Sequence, residues 1–120
     1  MQAAYDASGR GDGAAFLALF AHGAVVQQGA GVPWVTAPEG EPVEQFAARA
    51  GSYIRSRQTI DEMFASGEDV IVIGRSRGEA VRTGKRFDVR IVHRWTVRHG
   101  LIHRWQLMVE QAPLLEALAP

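Results

Sequence analysis

His93 is the side chain best suited to chemistry in this sequence, because an imidazole can act as an acid or a base near neutral pH. It stands in segment 86–97, where apolar residues recur at every second position and indicate a β-strand. This alternation places His93 on the apolar face of that strand. Ser76 holds a matching place in segment 70–79, where its hydroxyl could orient a substrate oxygen. A hydrogen-bonded core histidine and a small wall serine are the ordinary alternatives.

Two carboxylates and several aromatic rings offer further candidates. Asp61 and Glu62 are neighbours on a predicted strand, so one of the two is expected to face the same side as His93, with a solvated pair as the alternative. The four histidines have neither an i, i+4 pair nor a carboxylate at ligand spacing, so no metal site is expected. Four large aromatic residues could line a pocket for a flat polycyclic or terpenoid ligand, with core packing as the default: Trp34, Tyr53, Trp95 and Trp105.

The elements that must position these residues follow from the pattern of the chain. Helical spacing of apolar residues predicts helices at residues 2–8, 13–21 and 43–55, and Pro113 opens a fourth. Gly9 and Gly23 are predicted to end the first two helices, and Asp12 to cap the second. Period-two stretches predict strands at 24–28, 57–65, 70–79, 86–97 and 101–109. Helices followed by a run of antiparallel strands indicate an α+β fold with helices on one sheet face.

The predicted sheet has two unlike faces. Its inner face is apolar, with Ser76, His93 and His103 as polar members, whereas Ile102 is assigned to the outer face. Arginines and apolar residues alternate on the outer face: Ile71, Ile73, Arg75, Arg77, Arg90, Val92, Arg94 and Met108. Leaving these apolar side chains in water would expose a larger patch than monomers usually tolerate. We therefore expect the outer face to join two copies of the chain in a homodimer.

Composition excludes several classes of protein. The chain has 120 residues, of which 47% are hydrophobic and 22% charged, as expected for one globular domain over residues 1–120. It has no cysteine, so disulfide frameworks and thiol chemistry are excluded. No apolar run approaches a membrane span and no secretory signal is visible, which predicts a cytoplasmic protein. A net charge of zero argues against nucleic acid as a partner, although residues 70–109 are rich in arginine.

Seven segments together resemble the nuclear transport factor 2-like superfamily, which includes ketosteroid isomerases, limonene-epoxide hydrolases and SnoaL-type polyketide cyclases. Their order and spacing cover nearly the whole chain: YDASGRGD at 5–12, FLALFAHGAVV at 16–26, EPVEQF at 41–46, GEDVIVI at 67–73, TGK at 83–85, HRW at 93–95 and GLIHRW at 100–105. The resemblance implies a cone-shaped, curved antiparallel sheet wrapped around three N-terminal helices, plus a short C-terminal helix. It also implies a deep pocket on the inner face and pairing through the outer face.

The catalytic carboxylates of the family do not carry over. The isomerase base falls on Gln28 and the aspartic acid donor on Ile91, while the isomerase tyrosine aligns near Ala4, one residue from Tyr5. The epoxide hydrolase positions fall on Gly74, Ser76 and Leu107, and the cyclase acid on the last strand has no clear equivalent. The sequence therefore resembles the family without its standard mechanisms, and Tyr5 could still donate a hydrogen bond to a carbonyl or enolate oxygen.

We expect a small-molecule enzyme that needs no metal or organic cofactor and transfers a proton in a hydrophobic carbonyl or hydroxyl compound, as an isomerase, cyclase or dehydratase. A non-catalytic module of the same fold that binds a ligand or dimerises is the alternative. The expected catalytic residues are His93, Ser76 and Tyr5. The expected substrate-binding residues are Gln28, Trp34, Tyr53, Val72, Val89, Ile91, Trp105, Leu107 and Val109.

Overall fold

A curved, open sheet of six strands and four helices make up the computed structural model, which describes all 120 residues. The helices are α1 (Gln2–Gly9), α2 (Gly13–Leu17), α3 (Val43–Tyr53) and α4 (Gln111–Leu118). The strands are β1 (Phe20–Gln28), β2 (Glu41–Pro42), β3 (Ile54–Ser66), β4 (Asp69–Ala80), β5 (Arg86–Arg98) and β6 (Leu101–Val109). The predicted α+β fold with three N-terminal helices and one C-terminal helix is confirmed.

The sheet order is β2-β1-β6-β5-β4-β3, and consecutive strands from β3 to β6 pair in antiparallel hairpins. A tight turn joins β5 to β6, where His99 and Gly100 both adopt positive φ, at 51° and 77°. This is the conformation that the primed hairpin turns require. One pair departs from the prediction of an antiparallel sheet, because β1 runs parallel to β6. Such a pair joins the first strand to the last and cannot be read from local pattern.

The core lies between the inner face and the helices. Its buried members come from every layer of the molecule, among them Phe20, Val26, Val43, Phe46, Val89, Trp95 and Leu114. The helix α4 packs against β5 and β4. Burial of apolar area is the main favourable contribution to folding, so the alternation of the strands fixes which face the helices cover.

One predicted helix end is wrong, and one predicted left-handed residue is misplaced. The helix α1 includes Gly9, and the left-handed residue that follows is Gly11, with φ of 71°. The helix α2 ends at Leu17 instead of residue 21, because Phe20 already belongs to β1 and pairs with Ile102. Gly23 therefore lies inside β1, with φ of 78°, at an irregularity in the register with β6. Pairing with β6 has overridden a local preference for helix.

Two register shifts change the faces assigned from alternation. Val97 pairs with Ile102 while Thr96 pairs with Arg104, so His103 is the extra residue of a bulge. Ile102 consequently turns into the core with 2% of its surface exposed, and the predicted faces of Ile102 and His103 are wrong. A second shift between Ile60 and Glu62 leaves Asp61 unpaired in β3.

Candidate functional site

The inner face, α1 and α3 enclose a cavity of about 340 Å³ that is lined mostly by hydrophobic side chains. Val89, Ile91, Leu107 and Val109 form its sheet wall. Cavities of this size and lining are typical of small-molecule sites, in which a few polar groups fix the orientation of a ligand. Its polar members therefore define what the site can do.

A relay of three side chains crosses from β5 to α1 and back. The indole Nε1 of Trp95 donates a hydrogen bond to the Tyr5 hydroxyl oxygen at 2.9 Å. That hydroxyl lies 2.7 Å from Nδ1 of His93. The Tyr5 and His93 rings lie nearly parallel, with centroids 5.9 Å apart, and Trp95 and Trp105 meet the imidazole edge to face. The ring of His93 is thus held by aromatic contacts on several sides.

Burial sets the charge of both titratable members of this relay. It lowers the pKa of His93 from its ordinary 6.5 to about 3, because a charged imidazolium is disfavoured where water is excluded. Burial also raises the pKa of the Tyr5 hydroxyl, partly offset by the hydrogen bond from Trp95. At neutral pH the pair is therefore a neutral phenol and a neutral imidazole.

The second ring nitrogen of His93, Nε2, makes no hydrogen bond within the protein. It is not among the fully buried side-chain atoms that lack a partner, which are Gln27 Oε1 and Trp105 Nε1. His93 as a whole is 3% exposed and lines the cavity. Because Tyr5 occupies Nδ1, Nε2 is the ring nitrogen left to contact a ligand in the cavity.

Gln28 provides a second polar group at the same level of the sheet. Both Gln28 and His93 pair with Leu107, from β1 and β5 respectively, so the three residues form one row across the sheet. The indole Nε1 of Trp34 donates to Gln28 Oε1 at 3.1 Å. Arg49 holds Trp34 in place, because its Nε donates to the Trp34 carbonyl oxygen at 2.7 Å and its guanidinium also bonds Glu41.

A third polar group is the amide of Gln58, which donates to the hydroxyls of Ser56 and Ser76 at 3.3 Å each. Ser76 pairs with Val89, four residues before His93 on β5. At the usual rise of a strand this separates the serine group from the histidine row by about 13 Å along the sheet. The cavity therefore has two polar ends with an apolar middle.

Exposed residues mark the mouth of the cavity, at the turn between α1 and α2 and beside Gly51 of α3. Asp12 is the one carboxylate of the lining. It caps α2 as predicted, since its Oδ1 accepts from the Ala15 amide at 3.0 Å. Its Oδ2 lies 3.7 Å from Arg10, so this carboxylate is a surface group at the entrance.

The structure brings together most of the side chains singled out in the sequence. His93, Ser76 and Tyr5 all line the cavity, together with Gln28, Trp34, Val89, Ile91, Trp105, Leu107 and Val109. Val72 does not, because it is fully buried in the core. Tyr53 lies outside the cavity, where its half-exposed ring packs on Trp34 at a centroid distance of 5.9 Å.

The carboxylates Asp61 and Glu62 are both exposed, and neither lines the cavity. The expectation that one of them faces the site is wrong, because the bulge at Asp61 interrupts the alternation. Sequence reasoning also missed Gln58, Ser56, Phe16 and Phe46. The period of two in β3, where Ser56 and Gln58 alternate with arginines, was a usable signal for the first two.

No group of three or more histidine, cysteine, aspartate or glutamate side chains is arranged to hold a metal ion. None of the helices is long and apolar enough to cross a membrane. Apart from Asp12 at the mouth, the polar groups of the site are amides, hydroxyls, indoles and one imidazole.

Residues 1–105 match the family model of the SnoaL-like domain, and the chain belongs to this family. A nuclear transport factor 2-like protein of Burkholderia thailandensis is similar, with 29% identity, a TM-score of 0.81 and coverage of 99% of this chain and 94% of that one. TerC, crystallised with polyporic acid, has 18% identity and a TM-score of 0.84 over 98% and 93% of the chains. IdmH of Streptomyces antibioticus, proposed to be a polyketide cyclase, has 19% identity and a TM-score of 0.79 over 98% and 94%. A comparison with curated protein sequences finds no significant match.

Proposed function

We propose that the cavity binds a hydrophobic molecule bearing carbonyl or hydroxyl oxygens and that the chain catalyses a proton transfer in it, as an isomerase, cyclase or dehydratase. The observation that carries this proposal is His93 Nε2, which has no protein partner on a ring that lines an otherwise largely apolar cavity. A positioned side chain that transfers a proton typically accelerates a reaction by roughly 100- to 10,000-fold.

His93 is the acid in this proposal, and Tyr5 supports it through Nδ1. The neutral imidazole gives its Nε2 proton to the carbonyl oxygen while Nδ1 takes the proton of Tyr5, and a water molecule accepts the proton that the neighbouring carbon loses. Ser76 and Gln58 would bind a second oxygen at the other end of the ligand. The description of IdmH as a proposed polyketide cyclase favours a reaction of the cyclase type among these classes.

The test is hydrogen–deuterium exchange at the carbon next to the carbonyl of α-tetralone, followed by NMR in deuterated water. We expect the protein to accelerate this exchange and the His93→Gln variant to lose roughly 100-fold or more of the acceleration. The exposed His22→Gln variant is the matched control and should exchange as the original protein does. An equal rate in the His93→Gln variant would contradict the catalytic role.

A ligand-binding module without catalysis remains the second candidate, and one observation favours it. The only carboxylate of the lining is Asp12 at the mouth, and it already caps α2. Binding of α-tetralone without any acceleration of exchange would establish this second function in place of the first.

We also propose that the outer face joins two copies of the chain. Phe64 and Met108 on this side are 50% and 57% exposed, and Ile71, Ile73 and Val92 lie between them in paired positions. Asp88 accepts hydrogen bonds from Arg75 at 2.6 Å and Arg77 at 3.1 Å, which neutralises part of the arginine charge beside the apolar patch. Apolar surface with paired arginines is the composition that protein interfaces favour.

A further inference from the structure

We propose that Tyr5 is a positioning residue that keeps the proton of His93 on Nε2. The Nε2–H group of His93 and the side-chain amide of Gln28 then form a pair of donors that selects a ligand with acceptor oxygens. This inference rests on the proposed binding of an oxygenated molecule and names its chemistry. A ketone, a quinone or an enolate would fit, whereas a hydrocarbon or a protonated amine would not, because neither has a lone pair to accept the hydrogen bonds.

The first step concerns Trp95 and Tyr5. An indole nitrogen can only donate, so the Tyr5 oxygen must accept the hydrogen bond from Trp95. The hydroxyl then still has its own proton to place. The one remaining polar partner of this hydroxyl is His93 Nδ1 at 2.7 Å.

The second step concerns the tautomer of His93. If Nδ1 carried the proton, the Tyr5 oxygen would accept two hydrogen bonds and its own proton would be buried without a partner, which proteins avoid. The other tautomer satisfies every group, since Tyr5 donates to Nδ1 and Nε2 keeps its proton. A neutral imidazole carries one proton only, so the ring presents an N–H to the cavity.

The third step applies the same reasoning to Gln28. The indole of Trp34 can only donate, so the atom it meets at 3.1 Å is the amide oxygen of Gln28. The amide nitrogen of Gln28 therefore keeps its protons for a ligand, and it makes no hydrogen bond within the protein. Gln28 and His93 flank Leu107 in one row, so both donors serve the same end of the cavity.

The direct test of the tautomer is ¹⁵N NMR of the His93 ring in the ligand-free protein, which needs no substrate. We expect the proton on Nε2 alone in the original protein and a mixture of tautomers in Tyr5→Phe. Trp95→Phe provides a second variant that retains the hydroxyl and should also raise the Nδ1-protonated fraction. The control is Tyr53→Phe, which removes a hydroxyl outside the cavity and should change nothing. A proton on Nδ1 in the original protein, or an unchanged single tautomer in both variants, would overturn the proposal.

The selectivity is tested by calorimetric titration with α-tetralone and with tetralin, which differ in one carbonyl oxygen. We expect the original protein to prefer α-tetralone and this preference to fall about 2- to 10-fold in Tyr5→Phe, as for the loss of one hydrogen bond. Affinity for tetralin should stay unchanged in that variant. Equal affinity for the two compounds in the original protein would overturn the donor pair, whereas no binding of either would overturn the proposed function itself and leave the NMR result to decide the tautomer.

Discussion

His93 is neutral at pH 7 because of where it lies, since burial holds its pKa near 3. An unfolded chain would protonate the same ring below about pH 6.5. Between these two values the unfolded state binds one proton more than the folded state, so the fold loses stability as the pH falls. The pH dependence of unfolding therefore reports the burial of this one ring.

We predict that the free energy of unfolding falls more steeply with acid in the original protein than in His93→Gln, by up to about 1.4 kcal/mol per pH unit. The difference should be confined to the window between pH 6.5 and pH 3 and absent above it, as the pKa of His93 requires. Urea titrations at several pH values measure it, with His22→Gln as the control. Parallel profiles for His93→Gln and the original protein would show that the ring titrates normally in the fold.

Alternation along β4 and β5 is enough to predict that Ser76, His93 and Ile91 share a face, because strand geometry leaves only two choices. The contact between Tyr5 and His93 is not predictable in this way. It joins residues 88 positions apart, and it depends on how α1 packs against the sheet. The position of Tyr53 is likewise not predictable from the sequence, because an aromatic residue at a helix end can pack on either side of Trp34, the ring that it contacts in the structure.

Glycines in β4 and in α3 differ in whether the structure has room for a side chain. A Cβ on Gly74 would lie 2.1 Å from the carbonyl oxygen of Thr59, and one on Gly78 would lie 2.0 Å from that of Arg55. The strand β3 therefore approaches β4 too closely for any side chain at these two positions. Gly51 in α3 has open space around it.

We predict that Gly74→Ala lowers the free energy of unfolding by about 1 to 3 kcal/mol, as overpacking does. Gly51→Ala should instead raise it by about 0.5 to 1 kcal/mol, because glycine is a poor helix former. Urea unfolding followed by circular dichroism measures both variants, which carry the same substitution of glycine by alanine at different sites. A stabilising effect of Gly74→Ala would mean that β3 can move away from β4 at no cost.

The existence and type of nearly every element followed from periodicity and turn residues, but the bulges did not. The alternation of side chains along β6 runs through His103 without a visible break, so this pattern alone assigns His103 to the wrong face. Asp61 is similar, because a bulge in β3 becomes visible only through the pairing with β4. The end of α2 is decided by the pairing of Phe20 with Ile102, which lies 82 positions further along the chain.

For the whole molecule, we predict a particle of twice the 13.1 kDa mass of the chain in light scattering at tens of micromolar. Met108→Lys should shift it towards the monomer, because a charge would be placed in the apolar patch of the outer face, at its most exposed side chain. Leu115→Lys is the matched control, since Leu115 is an exposed leucine on α4. A monomer in the original protein, or an unchanged dimer in Met108→Lys, would contradict the proposed interface.

The placement of the tryptophans has a practical consequence for finding the ligand. The chain has three tryptophans, and all of them line the cavity. Trp95 and Trp105 are also stacked, with centroids 4.6 Å apart and planes within 8° of parallel. The tryptophan fluorescence of the protein therefore arises entirely from the walls of the site. An occupant that quenches or shifts this emission would reveal itself in unlabelled protein, so a whole library of compounds could be screened one at a time.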